Sequence, residues 1–458
     1  MSEHEAIVIG AGPAGEVCAG RLAGAGLDVV LVERELVGGE CAFWACMPSK
    51  ALLRPAELLA EVARVPGARE AVTGALDAAA VLARRDQVIH DLDDSVQLPW
   101  VQEAGIRLVR GQARLDGERR VIVDGELLQA RRAVVIAVGS GAAIPPVEGL
   151  SEISPWTNRR GTGAERVPER LTVLGGGAVG CELAQAWGSL GSEVTLVEVM
   201  GRLLVDEEPF AGEQLAESLQ DLGVEVRVGV EAVKAARDGG GSGAFTLTLA
   251  DGEELRSDEL LVATGRRPHT DDLGLETVGL EPGATISVDD RMRVPGHSWL
   301  YAIGDVNGRA LLTHAGKYQA RVATSVILNR DARAIWDGER SPRVVFTEPQ
   351  IAAVGLTLEQ ALQAGIPARA VDAEPGRTAG ASFVGKGAPA RARIVVDEDR
   401  SVIVGATFTG PEVAEWLHAA TIAIVGEVAL ERLIHAMPAF PTRSEVWLRL
   451  LEAWDAPV

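Results

Sequence analysis

A glycine-rich turn written twice constrains this chain more than any other feature. Ala6-Ile7-Val8-Ile9 runs into Gly10-Ala11-Gly12-Pro13-Ala14-Gly15, then a small-residue helix pattern, then Asp28-Val29-Val30-Leu31-Val32 closed by Glu33. Leu171-Thr172-Val173-Leu174 runs into Gly175-Gly176-Gly177-Ala178-Val179-Gly180, a second helix pattern, then Glu193-Val194-Thr195-Leu196-Val197 closed by Glu198. In both copies the acid lies 23 residues after the first glycine. Chemistry explains the spacing: the first glycine makes the tight turn, the second admits a pyrophosphate to the backbone, and the third packs helix against strand. The acid at the end of the next strand reaches a ribose hydroxyl. Such turns occur singly without ligands, but two copies with the correct flanks predict two Rossmann-like units and two dinucleotides.

Two dinucleotides in one chain suit a flavoprotein that takes hydride from a nicotinamide. The glycines alone do not say which unit holds which. Glu198 speaks to cofactor choice, because a carboxylate there accepts from a free 2'-hydroxyl and repels a 2'-phosphate. NADH is therefore the expected form of NAD(P)H, with Arg202 nearby as the opposing consideration.

Composition narrows the partners. The chain's 458 residues suffice for two to four domains, and 65 acidic against 44 basic residues leave a net charge of -21. That balance argues against nucleic acid or an anionic membrane, so a small-molecule substrate is expected. No apolar run approaches a membrane span, and Met1-Ser2-Glu3-His4-Glu5 lacks the pattern of a leader, which predicts a cytoplasmic protein. Four cysteines, Cys18, Cys41, Cys46 and Cys181, are too few for a secreted scaffold and suggest metal or redox chemistry. Cys18 and Cys181 follow the two glycine turns in small-residue helices, where core packing is expected; no metal site is predicted.

Cys41 and Cys46 stand in Gly39-Glu40-Cys41-Ala42-Phe43-Trp44-Ala45-Cys46-Met47-Pro48-Ser49-Lys50. Residues five apart in a straight helix have Cα atoms roughly 8–9 Å apart, and a disulfide needs less. If these thiols bond, the helix must break, and Pro48 favours a break there; otherwise they are two small buried hydrophobes. This segment, the two fingerprints, Tyr301-Ala302-Ile303-Gly304-Asp305 and Val345-Phe346-Thr347-Glu348-Pro349 together resemble the FAD-dependent pyridine nucleotide-disulfide oxidoreductases. That group includes dihydrolipoamide dehydrogenase, glutathione reductase and mercuric reductase.

The resemblance covers the whole chain and implies an α/β fold with two Rossmann-like dinucleotide-binding domains and an α+β C-terminal dimerisation domain. Residues 1–150 and 282–341 would bind FAD, 151–281 NAD(P)H, and 342–458 would join a homodimer. By resemblance, Cys41 and Cys46 form a redox-active disulfide, Cys46 being the thiolate against the flavin and Cys41 the interchange thiol. Lys50 would pair with Glu182 near the flavin, a surface ion pair being the alternative; Lys50 is one of four lysines in the chain. Gly139, Gly304, Asp305 and Thr313 would contact FAD, and Gly265 the second nucleotide. His314 reads as a flavin neighbour or a helix cap. The run Asp238-Gly239-Gly240-Gly241-Ser242-Gly243 reads as a hairpin tip or flexible loop.

One motif breaks. Disulfide reductases of this group end in His-Pro-Thr-x-Ser-Glu, whose glutamate orients a proton-carrying histidine; here the stretch reads Phe440-Pro441-Thr442-Arg443-Ser444-Glu445. Phenylalanine carries no proton, and imidazole base catalysis contributes typically about 10² to 10⁴-fold. His435 could substitute, although its neighbours suggest a helix end. Mercuric reductases also lack the histidine but have a C-terminal cysteine pair, whereas this chain ends Trp454-Asp455-Ala456-Pro457-Val458. The carboxylating relative, 2-ketopropyl-coenzyme M oxidoreductase/carboxylase, has the phenylalanine but not the glutamate. Three further readings stay open: a reductase for an aromatic disulfide or thioether, a quinone reductase, and a non-catalytic redox sensor. Phe43 and Trp44 would suit an apolar acceptor or would simply pack.

Overall fold

The computed structural model describes residues 2–240, 243–338, 340–385 and 387–455. They divide into two compact units, one from residues 2–48, 85–143 and 266–341, the other from 49–84, 144–265 and 342–455.

In the first unit, Ser2–Ile9 is the middle of a parallel stack with Val29–Glu33 and Arg107–Arg110 on one side and Glu126–Ile136 on the other. Leu300–Ala302 adds a further parallel strand beside Glu126–Ile136, with Leu300 opposite Val134. Arg120–Val123 and Ala113–Leu115 extend the sheet antiparallel. Both faces are covered, which explains why the strands read as continuous apolar runs rather than alternating ones. Val8, Leu31 and Val135 face the helix Pro13–Gly24 with Cys18 and Leu22, while Ile7, Ile9, Val30 and Val134 face the opposite core. The helix Thr313–Ile327 packs on that first helix: a Cβ added at Gly316 would sit 3.2 Å from the Ala14 methyl. Arg266–Pro268, which the sequence boundary at 281 assigns to the nicotinamide segment, pairs here with Ser140–Ala142.

The second unit repeats the parallel theme with Arg170–Leu174, Glu193–Glu198, Glu225–Val228 and Glu259–Val262 in one sheet. Ala232–Arg237, Phe245–Leu249 and Glu254–Ser257 form an antiparallel meander. Arg237 lies opposite Phe245, so the glycine run after it joins a hairpin, as its composition suggests; Gly241 and Ser242 of that run lie outside the described residues. Trp187, on the helix Ala178–Ser189, is fully buried, and its indole N–H donates to the Gly161 carbonyl at 3.0 Å. Five antiparallel strands from Arg343–Val345 to Val402–Gly410, with the helices Val413–Val425 and Val446–Asp455, build the C-terminal α+β part.

Candidate functional site

Each glycine turn is cut to the same backbone pattern. Gly10 and Gly175 have φ of 100° and 114°, where L side chains are strained, and a Cβ on either would run into the carbonyl of Ala137 or Ala263. A Cβ on Gly15 or Gly180 would strike the carbonyl of Gly10 or Gly175. Gly12 and Gly177 differ from these: nothing lies within 4 Å of an added Cβ, and each caps a helix with no side-chain partner. Open space in front of uncapped first-turn N–H groups is the shape a pyrophosphate fills. Glu33 accepts from Ala11 N–H and Glu35 N–H, both at 2.7 Å, and Glu198 from Gly176 N–H at 2.5 Å and Met200 N–H at 2.7 Å. Both acids thus sit beside their turns, as a ribose ligand must. The residues fit two dinucleotides.

Around the first turn, Gly139 bends the chain with φ of 70° and leads into Ser140. Ser140 Oγ donates to Asp305 at 2.6 Å and Arg266 lies 3.5 Å from the same carboxylate. Gly304, with φ of 75°, donates its N–H to Gln319 at 2.7 Å. Gly265 also holds a positive φ, 146°, but nothing lies within 4 Å of an added Cβ there.

The helix between the cysteines does break, at Trp44 and Ala45, between Gly39–Phe43 and Cys46–Arg64. Pro48 is not the breaker. It occupies the first turn of the second helix, where a missing N–H costs nothing. Both cysteines are free thiols here, gathered by one hydroxyl: Thr313 Oγ1 donates to Cys41 Sγ at 3.2 Å and lies 3.5 Å from Cys46 Sγ. The Cys46 sulfur first, and burial second, push the Cys41 thiol well above its ordinary range. Cys18 and Cys181 are fully buried, and burial drives both thiols up, Cys18 to about 12. They are core residues. So is Phe43, 2% exposed and tucked beneath Gly38, which removes it from the candidates for an acceptor surface. Trp44 is half-buried, its ring centroid 5.8 Å from that of Phe43.

In the second unit Lys50 Nζ donates to Glu182 Oε2 at 2.7 Å and stands over the Phe346 ring at 4.8 Å. Glu182 is 5% exposed, and its other oxygen accepts from Phe346 N–H at 2.9 Å, so this is no surface pair. Arg202, weighed above as a reader of a 2'-phosphate, donates instead to the carbonyls of Leu204, Val205 and Glu207 at 2.6–3.0 Å. Phe440 is 77% exposed, whereas Glu445 is buried and accepts from Gly380 N–H at 3.1 Å. His435 is exposed just beyond the short helix Leu430–Leu433. Sequence reasoning missed Glu16, one turn into the first fingerprint helix. Its carboxyl is pushed up to about 7 by burial, with Lys317 opposing and Glu33 assisting, and its Oε1 has no hydrogen-bond partner. An acid in place of an apolar residue beside the third glycine was the available signal. No group of His, Cys, Asp and Glu suited to a metal ion occurs among the described residues, and no described helix is long and apolar enough to cross a membrane.

Comparison with known proteins agrees with this geometry. Residues 4–320 match the family described as pyridine nucleotide-disulphide oxidoreductase, and residues 341–450 match its dimerisation domain. A dihydrolipoyl dehydrogenase of Thermus scotoductus is 35% identical over 99% of this chain and 98% of its own length. That of Haloferax volcanii is 32% identical, over 98% and 95%. A mercuric reductase of Staphylococcus aureus is 29% identical over 97% of this chain and 81% of its own. Among solved structures, LpdA from Mycobacterium tuberculosis matches the fold with a TM-score of 0.87 at 24% identity over all of both chains. The HOCl-induced flavoprotein disulfide reductase RclA from Escherichia coli matches with 0.84 at 23%, over 98% and 99%. The fingerprint pair, the thiol pair and the dimerisation domain together make this chain a member of the pyridine nucleotide-disulfide oxidoreductases, FAD-dependent enzymes that link NAD(P)H to a disulfide.

Proposed function

We propose that the chain is an NADH-preferring homodimeric reductase whose Cys41–Cys46 pair passes electrons to a small acceptor, a disulfide or a related sulfur compound. The observation that carries this reading is the single Thr313 hydroxyl within 3.2 and 3.5 Å of the two sulfurs. FAD, when bound, supplies a two-electron carrier between nicotinamide and disulfide. In the domain division we propose, residues 1–150 and 282–341 hold FAD, 151–281 the nicotinamide nucleotide, and 342–458 the dimer contact. Gly10, Gly12 and Gly15 cradle the FAD pyrophosphate, with Glu33 on a ribose, Asp305 on the ribitol, and Gly139, Gly304, Lys50 and Thr313 completing the site. Gly175, Gly177, Gly180 and Gly265 serve the second nucleotide. Lys50, paired with Glu182 at 2.7 Å, would supply a positive charge to the flavin.

In the reduced pair the Cys41 sulfur attacks one sulfur of the acceptor disulfide and releases the first thiol. Cys46 then attacks Cys41 Sγ, releases the second thiol and closes the Cys41–Cys46 bond, so one disulfide is reduced as one forms. Phe440 withholds the proton shuttle found in relatives, which favours an acceptor whose leaving group needs little protonation. NADH preference is supported by Glu198 and by the engagement of Arg202 with backbone carbonyls. Supporting the homodimer are apolar side chains in the C-terminal part that stand in water in the single chain, including Phe383, Ile422, Met437 and Phe440. A monomer by light scattering at micromolar concentration, with activity intact, would contradict it.

Alkylation after NADH reduction tests the central claim. Two thiols beyond those of the untreated protein should be labelled, and Cys46→Ser should leave one reactive thiol and no steady disulfide turnover. An unchanged thiol count on reduction refutes the redox pair.

A further inference from the structure

Gln319, on the helix Thr313–Ile327, has none of its surface exposed, a place where an unpaired polar atom is costly. All its bonds are made within the first unit. Its Oε1 accepts from Gly304 N–H at 2.7 Å and from the Asn307 side-chain amide at 2.9 Å, and its Nε2 donates to Asp337 at 3.0 Å. Two donors face the oxygen and a carboxylate faces the nitrogen, so the partners dictate which way the amide points. Asp337, its side chain 1% exposed, takes two nitrogens of the Arg309 guanidinium, each at 2.7 Å, a bidentate pair that fixes the carboxylate. Asn307 closes the circuit. Its amide also donates to the Ala302 carbonyl at 3.1 Å, and its oxygen accepts from Arg309 N–H at 3.1 Å. The turn Gly304–Asn307 is thus gripped at its first and last residues.

This network joins two parts of the proposed chemistry. On one side is the turn that carries Asp305, whose carboxylate accepts from Ser140 at 2.6 Å and is assigned above to the flavin ribitol. On the other is the helix that opens with Thr313, the hydroxyl near both thiols. Gly316, three residues before Gln319 and on the same face, brings the two together: a Cβ added there would lie 3.3 Å from Gly304 Cα. A glycine contact gives closeness without direction, because bare backbone can slide. The Gln319 amide gives direction. A leucine at this position would fill a similar volume, but it would leave Gly304 N–H without an acceptor.

We infer that Gln319 is a positioning residue for the flavin site. Its amide fixes the Gly304–Asn307 turn on the Thr313 helix and so sets where Asp305 meets the ribitol, while Asp337 and Arg309 lock the amide from behind. The inference rests on the assignment of that turn to FAD, and its test separates the two.

The measurement is the rate at which FAD leaves the holoprotein on dilution, followed by the rise of flavin fluorescence. Gln319→Leu should speed release by about tenfold, because the turn loses the bond that aims it. Asp305→Ala should speed it at least as much. If Gln319 acts through Asp305, adding Gln319→Leu to Asp305→Ala changes the rate by less than about twofold, whereas a general loosening of the fold multiplies the two effects. Gln319→Glu keeps the acceptor but sets a carboxylate against Asp337, so it should release FAD as fast as Gln319→Leu. Combining it with Asp337→Asn returns a donor to that contact and should bring release back to within about threefold of the parent. Where melting shows that Gln319→Leu does not fold, Gln319→Glu takes its place in the pair with Asp305→Ala. Parent-like release from the Gln319 variants, multiplied effects in the pair, or no recovery with Asp337→Asn overturns the inference. Parent-like release from Asp305→Ala refutes the ribitol assignment and the inference with it. Fast release from Asp305→Ala with multiplied effects leaves the assignment standing and removes only the role of Gln319.

Discussion

The two glycine turns make a controlled comparison inside one molecule. Their first and second glycines have closely similar φ values, and the two turns repeat the same blocked and open Cβ positions and the same carboxylate bonded to two N–H groups. What differs is the company. The first turn belongs to the unit with the two thiols, Thr313 and the half-buried Glu16. The second precedes a helix whose Glu182 carries Lys50. Under the proposed assignment, recognition of a pyrophosphate would be a backbone property and indifferent to which nucleotide arrives, while the chemistry would be written in side chains beyond the turn. The most direct way to break the comparison is to fill the open positions. Gly12→Ala and Gly177→Ala meet no protein atom and need no unusual φ, so both proteins should melt as the parent does without ligand. A methyl placed where the nucleotide must lie should weaken binding by roughly 10²-fold or less. Flavin loss is expected from the first variant only, and a raised NADH Kd with flavin retained from the second. Equal flavin loss from both would mean the assignment of ligands to turns is wrong.

A smaller effect sharpens the contrast between backbone and side chain. Phe440→His should raise lipoamide or small-disulfide turnover by about tenfold, near the low end of general base catalysis. Glu445 must then leave Gly380 N–H to orient the new ring, and this competition keeps the gain modest. Efficient lipoamide reduction by the unsubstituted protein would show that another group, His435 among them, already moves the proton, and His435→Ala would test that.

Nucleotide choice should come next in size. Opposing a 2'-phosphate to Glu198 costs enough for kcat/KM to favour NADH over NADPH by at least roughly tenfold, and Glu198→Ala should narrow the ratio severalfold. Equal use of both nucleotides by the parent would show that Arg202, or another cation, leaves its carbonyls to meet the phosphate.

The smallest effect concerns stability. Glu16 ionises at 4.5 in the unfolded chain and at about 7 in the folded one. Between those values the native state keeps a proton the unfolded state has lost, so this group's contribution to stability falls as pH rises through the window and is level above it. The melting temperature of Glu16→Gln relative to the parent should therefore rise by a few °C between pH 5 and pH 7.5. A constant difference would mean Glu16 titrates normally.

Much of this was legible because it is local. Glycine spacing, the strand-closing acids and the need for a helix break between Cys41 and Cys46 are consequences of short-range geometry, and the sequence carries them openly. The pairing of Lys50 with Glu182 was reached through resemblance, since nothing in a linear sequence joins residues 132 apart. Other features stayed hidden for the same reason. Phe43 reads as an acceptor surface until Gly38 is seen above it. Thr313 reads as a flavin contact until its hydroxyl is seen between two thiols 267 and 272 positions away.

The bonds that Glu33 and Glu198 make to their own turns also bear on how such a protein changes over generations. Each acid is a strut, and in the proposed reading a reader too, so replacing Glu198 to welcome a phosphorylated nucleotide would forfeit two main-chain bonds before any benefit appeared. Nor could Arg202 be recruited cheaply, since it staples three carbonyls of the following loop. A lineage switching its reductant would have to pass through a loosened intermediate or import a new cation from outside the turn, and this barrier tends to keep the cofactor habit of a branch fixed while its acceptor drifts.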